Sequence, residues 1–118
     1  MRDHRKLEIF QIADDLVIRV YQETKSFPKE ELYGLVSQMR RSAVSVATNI
    51  VEGCGRRTEP EFNRFLDIAF GSIREVGYLV DLATRLGYLN EKGAQLLGET
   101  QRRGAAALGA FIQTRETY

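Results

Sequence analysis

Between Leu32 and Gly53 the apolar and the polar side chains both repeat with a helical period, and this double pattern restricts the available folds more than any other feature of the chain. Leu32, Val36, Met39, Ala43, Val46 and Ile50 recur at alternating steps of four and three, with Leu35 and Ala47 beside them. On a helix of about 3.6 residues per turn these positions share one face. Gln38, Ser42, Ser45, Asn49 and Glu52 repeat at four, three, four and three, so a file of small or hydrogen-bonding side chains flanks the apolar stripe. The simplest reading is close packing: Ser42 and Ser45 let a neighbouring helix approach, while Asn49 and Glu52 bond to loop backbone near Gly53 and Gly55.

Three further segments carry the same period. The first helix is expected from about Lys6 to Lys25, with Ile9, Ala13, Leu16, Val17 and Val20 on one face. The second starts at Pro28, which suits a first helical turn because its missing amide proton costs little there, and runs to about Glu52. Gly53 is expected to take a left-handed cap. Thr58 and Glu61 then form a capping-box pattern that opens a third helix from about Glu59 to Leu86. Its inward face holds Phe62, Phe65, Leu66, Ala69, Ile73, Val76, Leu79, Ala83 and Leu86, and its outer face pairs Arg64 with Asp67 and Asp81 with Arg85. Asn90 caps a fourth helix from about Glu91 to Arg115, with Leu97, Leu108, Phe111 and Ile112 inward. Gly93, Gly98, Gly104 and Gly109 each cost roughly 1 kcal/mol against alanine in a helix, so this segment must be held by packing. Short connections make neighbouring helices antiparallel. The expected fold is all-α, an antiparallel up-down-up-down four-helix bundle in one domain spanning residues 1–118.

Composition excludes several functions. No apolar run approaches the roughly 20 residues of a membrane span. The charged start MRDHRKLEIF passes straight into an amphipathic pattern, unlike a secretory signal, so a cytoplasmic setting is expected. Cys54 is the only cysteine, which rules out an intrachain disulfide. Seventeen basic residues against sixteen acidic ones leave a net charge of +1, so attraction to nucleic acid would need a local patch. Arg40, Arg41, Arg56, Arg57, Arg102 and Arg103 are the candidates for such a patch, contacting an RNA or DNA backbone.

Catalytic constellations are thin. A di-metal bundle needs several inward carboxylates and Glu-x-x-His pairs, and the only histidine is His4. No metal or other cofactor is expected. An acid/base site around Asn49, Glu52 and Glu75 would require a polar pocket between the second and third helices. The loop Gly53-Cys54-Gly55-Arg56-Arg57 could hold a phosphate, but no Walker-type lysine or dinucleotide fingerprint accompanies its glycines. The expectation is a non-enzyme. Val44, Val51 and Tyr33 widen the apolar arc of the second helix to roughly half its circumference, and Phe70 lies outside the main stripe of the third. One bundle core rarely uses so wide an arc, which favours a homo-oligomer.

The run Gln38, Arg41, Ser42, Ser45, Asn49-Ile50-Val51-Glu52-Gly53, followed by Arg57, Thr58, Glu61-Phe62, Phe65-Leu66, Ile68-Ala69, Gly71-Ser72 and Glu75, resembles a bacterial family. That family consists of four-helix-bundle proteins first noticed in intervening sequences of large-subunit ribosomal RNA genes. Val51 replaces the family's usual alanine, and the Gly/Ala-rich fourth helix departs further. The resemblance implies a small bundle assembling into a ring, commonly a pentamer, without catalytic activity. A related branch, the accessory protein of diversity-generating retroelements, binds a reverse transcriptase and nucleic acid through a strongly basic surface, a signature that a net charge of +1 does not share. The partners expected are other copies of the chain, and a nucleic acid or a nucleic-acid-handling protein. The leading expectation is an oligomeric scaffold or accessory protein, with nucleic-acid binding through the arginines as the alternative.

Overall fold

The alternating pattern folds as its period requires. A computed structural model of the chain describes residues 2–116, among which four α-helices make an elongated bundle of 45 × 22 × 20 Å. They are α1 (Glu8–Thr24), α2 (Ser37–Cys54), α3 (Glu59–Arg85) and α4 (Glu91–Glu116). Each packs on its chain neighbours and α4 closes back on α1, so α1 lies diagonally across from α3 and α2 from α4. The core draws Leu16, Met39, Ile50, Phe62, Leu66, Ile73, Leu97 and Leu108 from all four helices. Fully burying each such side chain contributes about 1.5–3 kcal/mol.

The fourth helix is capped as expected, whereas of the capping box on the third only the threonine half forms among the described residues. Thr58 Oγ1 accepts from the Glu61 amide at 3.3 Å, and Asn90 Oδ1 accepts from the Gly93 amide at 2.7 Å. Gly87, with φ at 80°, turns the chain after α3. Two expectations about the second helix need correcting. It does not run unbroken from Pro28: a 3-10 turn at Lys29–Glu31 leads into a π-helical turn at Leu32–Val36, and only then does α2 begin. The Glu31 carboxylate accepts from the Leu35 amide at 3.2 Å, while Gly34 leaves the helical region at φ −109°, ψ −107°. Gly53 is not a left-handed cap either; the helix continues through Cys54. Its missing side chain serves α3, because a Cβ there would lie 3.0 Å from Phe65 Cβ and 3.1 Å from Phe62 Cδ1.

Helix α4 tolerates its glycines for the same kind of reason. A Cβ at Gly104 would meet Ile73 and Ile12, and one at Gly109 would meet the Phe70 ring. Phe70 is therefore half-buried beneath α4 and does not face outward with Tyr33. Leu86, expected inward, lies beyond the end of α3 and is 51% exposed. On the outer face of α3 Asp81 pairs with Arg85 at 3.0 Å, but Arg64 and Asp67 form no ion pair among the described residues. No described helix is long and apolar enough to cross a membrane.

Candidate functional site

The polar file of α2 lies along its contact with α3. Gln38 Nε2 donates to Glu75 Oε2 at 2.6 Å. Ser45 Oγ and Ser72 Oγ are 2.8 Å apart, and Asn49 Nδ2 donates to the Ser45 carbonyl at 2.8 Å and to its hydroxyl at 3.0 Å. Ser42, buried, turns its hydroxyl back to the Gln38 and Met39 carbonyls. Asn49 thus bonds to its own helix, and Glu52 forms an ion pair with Arg56 at 3.7 Å, where loop-backbone contacts were expected of both. An open groove of about 470 Å³ borders the seam, lined by Gln38, Arg41, Ser45, Thr48, Ser72 and Glu75; Asn49 and Glu52 are outside it. Ser45 and Ser72 bond to each other, Thr48 Oγ1 donates to the Val44 carbonyl at 2.9 Å, and the groove's carboxylate, Glu75, accepts from Gln38. His4 is elsewhere, packed edge-on against Phe10 at 4.7 Å. The arrangement aligns two helices, and among the described residues none of the groove's hydroxyls is hydrogen-bonded to a carboxylate or imidazole. Burial pushes the Cys54 thiol above its ordinary value, so its thiolate is disfavoured.

The six candidate arginines are dispersed. Arg40 Nε donates to Thr24 Oγ1 at 3.0 Å, and its guanidinium lies over the Tyr21 ring at 4.6 Å. Arg41 is exposed and reaches only Ser37 Oγ at 3.5 Å. Arg56 stacks on Phe65 at 4.6 Å, while Arg57 is exposed in the loop before α3. Arg102 lines the groove between α3 and α4 with Asp81, and Arg103 is exposed on α4. Since α2 and α4 are diagonal, the Arg40–Arg41 and Arg102–Arg103 pairs face different sides of the bundle.

Two features escaped the sequence reading. One is a clamp at the end of the bundle where both termini meet α3. Arg2 Nη2 donates to both Glu59 oxygens at 2.7 and 2.9 Å, and Arg115 donates to Glu59 and to Asn63 Oδ1. Both guanidiniums also cover the Phe62 ring, at 3.9 and 4.4 Å from its centroid. The hydrogen bond from Arg2, then that from Arg115, lower the Glu59 pKa to about 2. The other is how far the exposed apolar surface expected around Tyr33 extends, onto α1 and onto α3. Ile18, Tyr21, Leu32 and Tyr33 border α1 and the π-helical turn, with Tyr33 92% exposed; Ile68 and Tyr78 stand on α3. Val44 and Val51, expected to join Tyr33, are half-buried.

Comparison with known proteins agrees with this architecture. The sequence profile of the family described as 23S rRNA-intervening sequence protein matches residues 5–108. The chain belongs to that family. No curated protein matches the chain. Among solved structures, a protein of unknown function from the S23 ribosomal protein family of Bacteroides thetaiotaomicron superposes with a TM-score of 0.81. The match covers 89% of this chain and 95% of that one at 20% identity, so the likeness extends to the fold alone. What this member of the 23S rRNA-intervening sequence protein family shares with that structure is the bundle, and a fold of this kind does not by itself assign a function.

Proposed function

We propose that the protein is a non-enzymatic homo-oligomeric scaffold or accessory protein whose work is done by its outer surfaces. The observation that carries this reading is the set of large apolar side chains left in water on two sides of one small bundle, above all Tyr33 at 92% exposure. Large apolar side chains left exposed in this number favour association. The pentamer implied by family resemblance is the expected assembly, and a cytoplasmic setting suits a lone buried thiol. Direct contact with an RNA or DNA backbone has less support, because Arg40 and Arg56 are committed to rings and hydrogen bonds within the bundle and Arg102 and Arg103 face another side.

The test is light scattering coupled to size exclusion over a concentration series. Wild type should elute as one assembled species at micromolar concentration, and Tyr33→Asp should shift it to lower mass with an unchanged far-UV spectrum. A Tyr33→Asp variant that assembles as well as wild type contradicts the use of this surface.

A further inference from the structure

Glycine is disfavoured inside helices, so it is informative where something approaches the backbone. Within the bundle that something is visible: Phe62 and Phe65 at Gly53, Gln101 at Gly77, Ile73 and Ile12 at Gly104, Phe70 at Gly109. Gly71 differs. It lies mid-way along α3 on the solvent side, and a Cβ there would have nothing within 4 Å. Nothing inside the protomer accounts for it.

Its neighbours on the same helix line are Arg64, Ile68 and Glu75, all exposed, with Ile68 at 42%. The spacing of four, three and four is that of a helix-packing seam. On α1 and its C-terminal cap the exposed residues Asp14, Ile18, Tyr21 and Lys25 have the same spacing, with Ile18 52% and Tyr21 40% exposed. Aligned in parallel, the two lines complement one another at every position. Asp14 meets Arg64, Ile18 meets Ile68, Tyr21 meets the vacant space at Gly71, and Lys25 meets Glu75. The four charges are available: among the described residues none is in an ion pair, and only Glu75 has a side-chain hydrogen bond, from Gln38. In an up-down-up-down bundle α1 and α3 run the same way. They also lie on opposite corners, so one chain cannot join its own two lines.

We infer that α1 of one copy packs in parallel on α3 of the next, with Tyr21 seated over Gly71. The inference rests on the assembly reading above and names its contact. The contact is head-to-tail, so each copy supplies one line of each kind and a ring can close. A second copy is the occupant because the same chain carries both complementary lines.

Charge reversal tests it by sedimentation velocity. Asp14→Arg and Arg64→Asp should each weaken association roughly tenfold, since an attraction becomes a repulsion at a rim position. The Asp14→Arg/Arg64→Asp double variant should recover to near wild type. Gly71→Gln should abolish assembly while raising the thermal midpoint of the dissociated protomer, which separates a blocked contact from misfolding. Assembly by Gly71→Gln, or a double reversal no better than the singles, overturns the α1–α3 contact while leaving oligomerisation standing. A wild-type chain that is monomeric throughout overturns both.

Discussion

At the scale of single residues, two glycines on facing helices make opposite predictions. Gly53 sits under Phe62 and Phe65, where an added Cβ would come within 3.0 Å of the Phe65 Cβ, an atom fixed to the α3 backbone. Overpacking of this kind costs about 1–3 kcal/mol, and the helix propensity gained by alanine returns only about 1 kcal/mol. Gly53→Ala should therefore lower unfolding free energy by about 1 kcal/mol in denaturant titration; a more stable variant would mean that α2 and α3 can move apart without loss. Gly71 has open space, so the same substitution there should be stabilising to the isolated protomer. From the sequence both are glycines in helices. What separates them is which neighbour lies beyond the missing side chain, and that is fixed by helix packing between positions distant in the chain.

At the scale of elements, the Arg2–Glu59–Arg115 clamp joins the N-terminal segment, the start of α3 and the end of α4. Glu59 has a folded-state pKa of about 2 against an ordinary 4.5. Because the folded value is depressed, the clamp's contribution is present above about pH 4.5 and is lost as pH falls toward 2. The difference in thermal midpoint between wild type and Glu59→Gln should be full at neutral pH, shrink across that window and vanish near its lower end. Since the Glu59 side chain is 60% exposed, added salt should also reduce it. A difference that stays constant from neutral pH to pH 2 would show that the carboxylate's charge plays no part. No local pattern announces this clamp, since its partners are separated by 57 and 56 residues.

The helices themselves were far more legible. Ile73, Val76 and Ala83 sit where periodicity put them, because apolar spacing alone decides which face of a helix is buried. The start of the second helix was not, although Gly34 marks the place. Its spacing continues upstream through Leu32, yet Glu31 uses its carboxylate on the Leu35 amide and the backbone opens into a π-helical turn. The polar file was legible as an edge that meets another helix. Its actual partners, Ser72 and Glu75, required the register between α2 and α3.

For the whole molecule, the interior is resolved within one chain and the exterior is not. Among the described residues no buried side-chain nitrogen or oxygen lacks a hydrogen-bond partner, so the bundle's polar interior needs nothing from outside. By contrast Tyr33, Tyr78, Ile18 and Ile68 remain in water, and α1 and α3 carry matched outward lines that only a second copy can bring together. The measurement that tests this most directly is native mass spectrometry of the nuclease-treated wild-type chain. One dominant species is expected at an integer multiple of 13.4 kDa, five copies by family resemblance, with no nucleic acid in it. A spectrum showing only the 13.4 kDa monomer at micromolar concentration, or an assembly that disappears with nuclease, would contradict it.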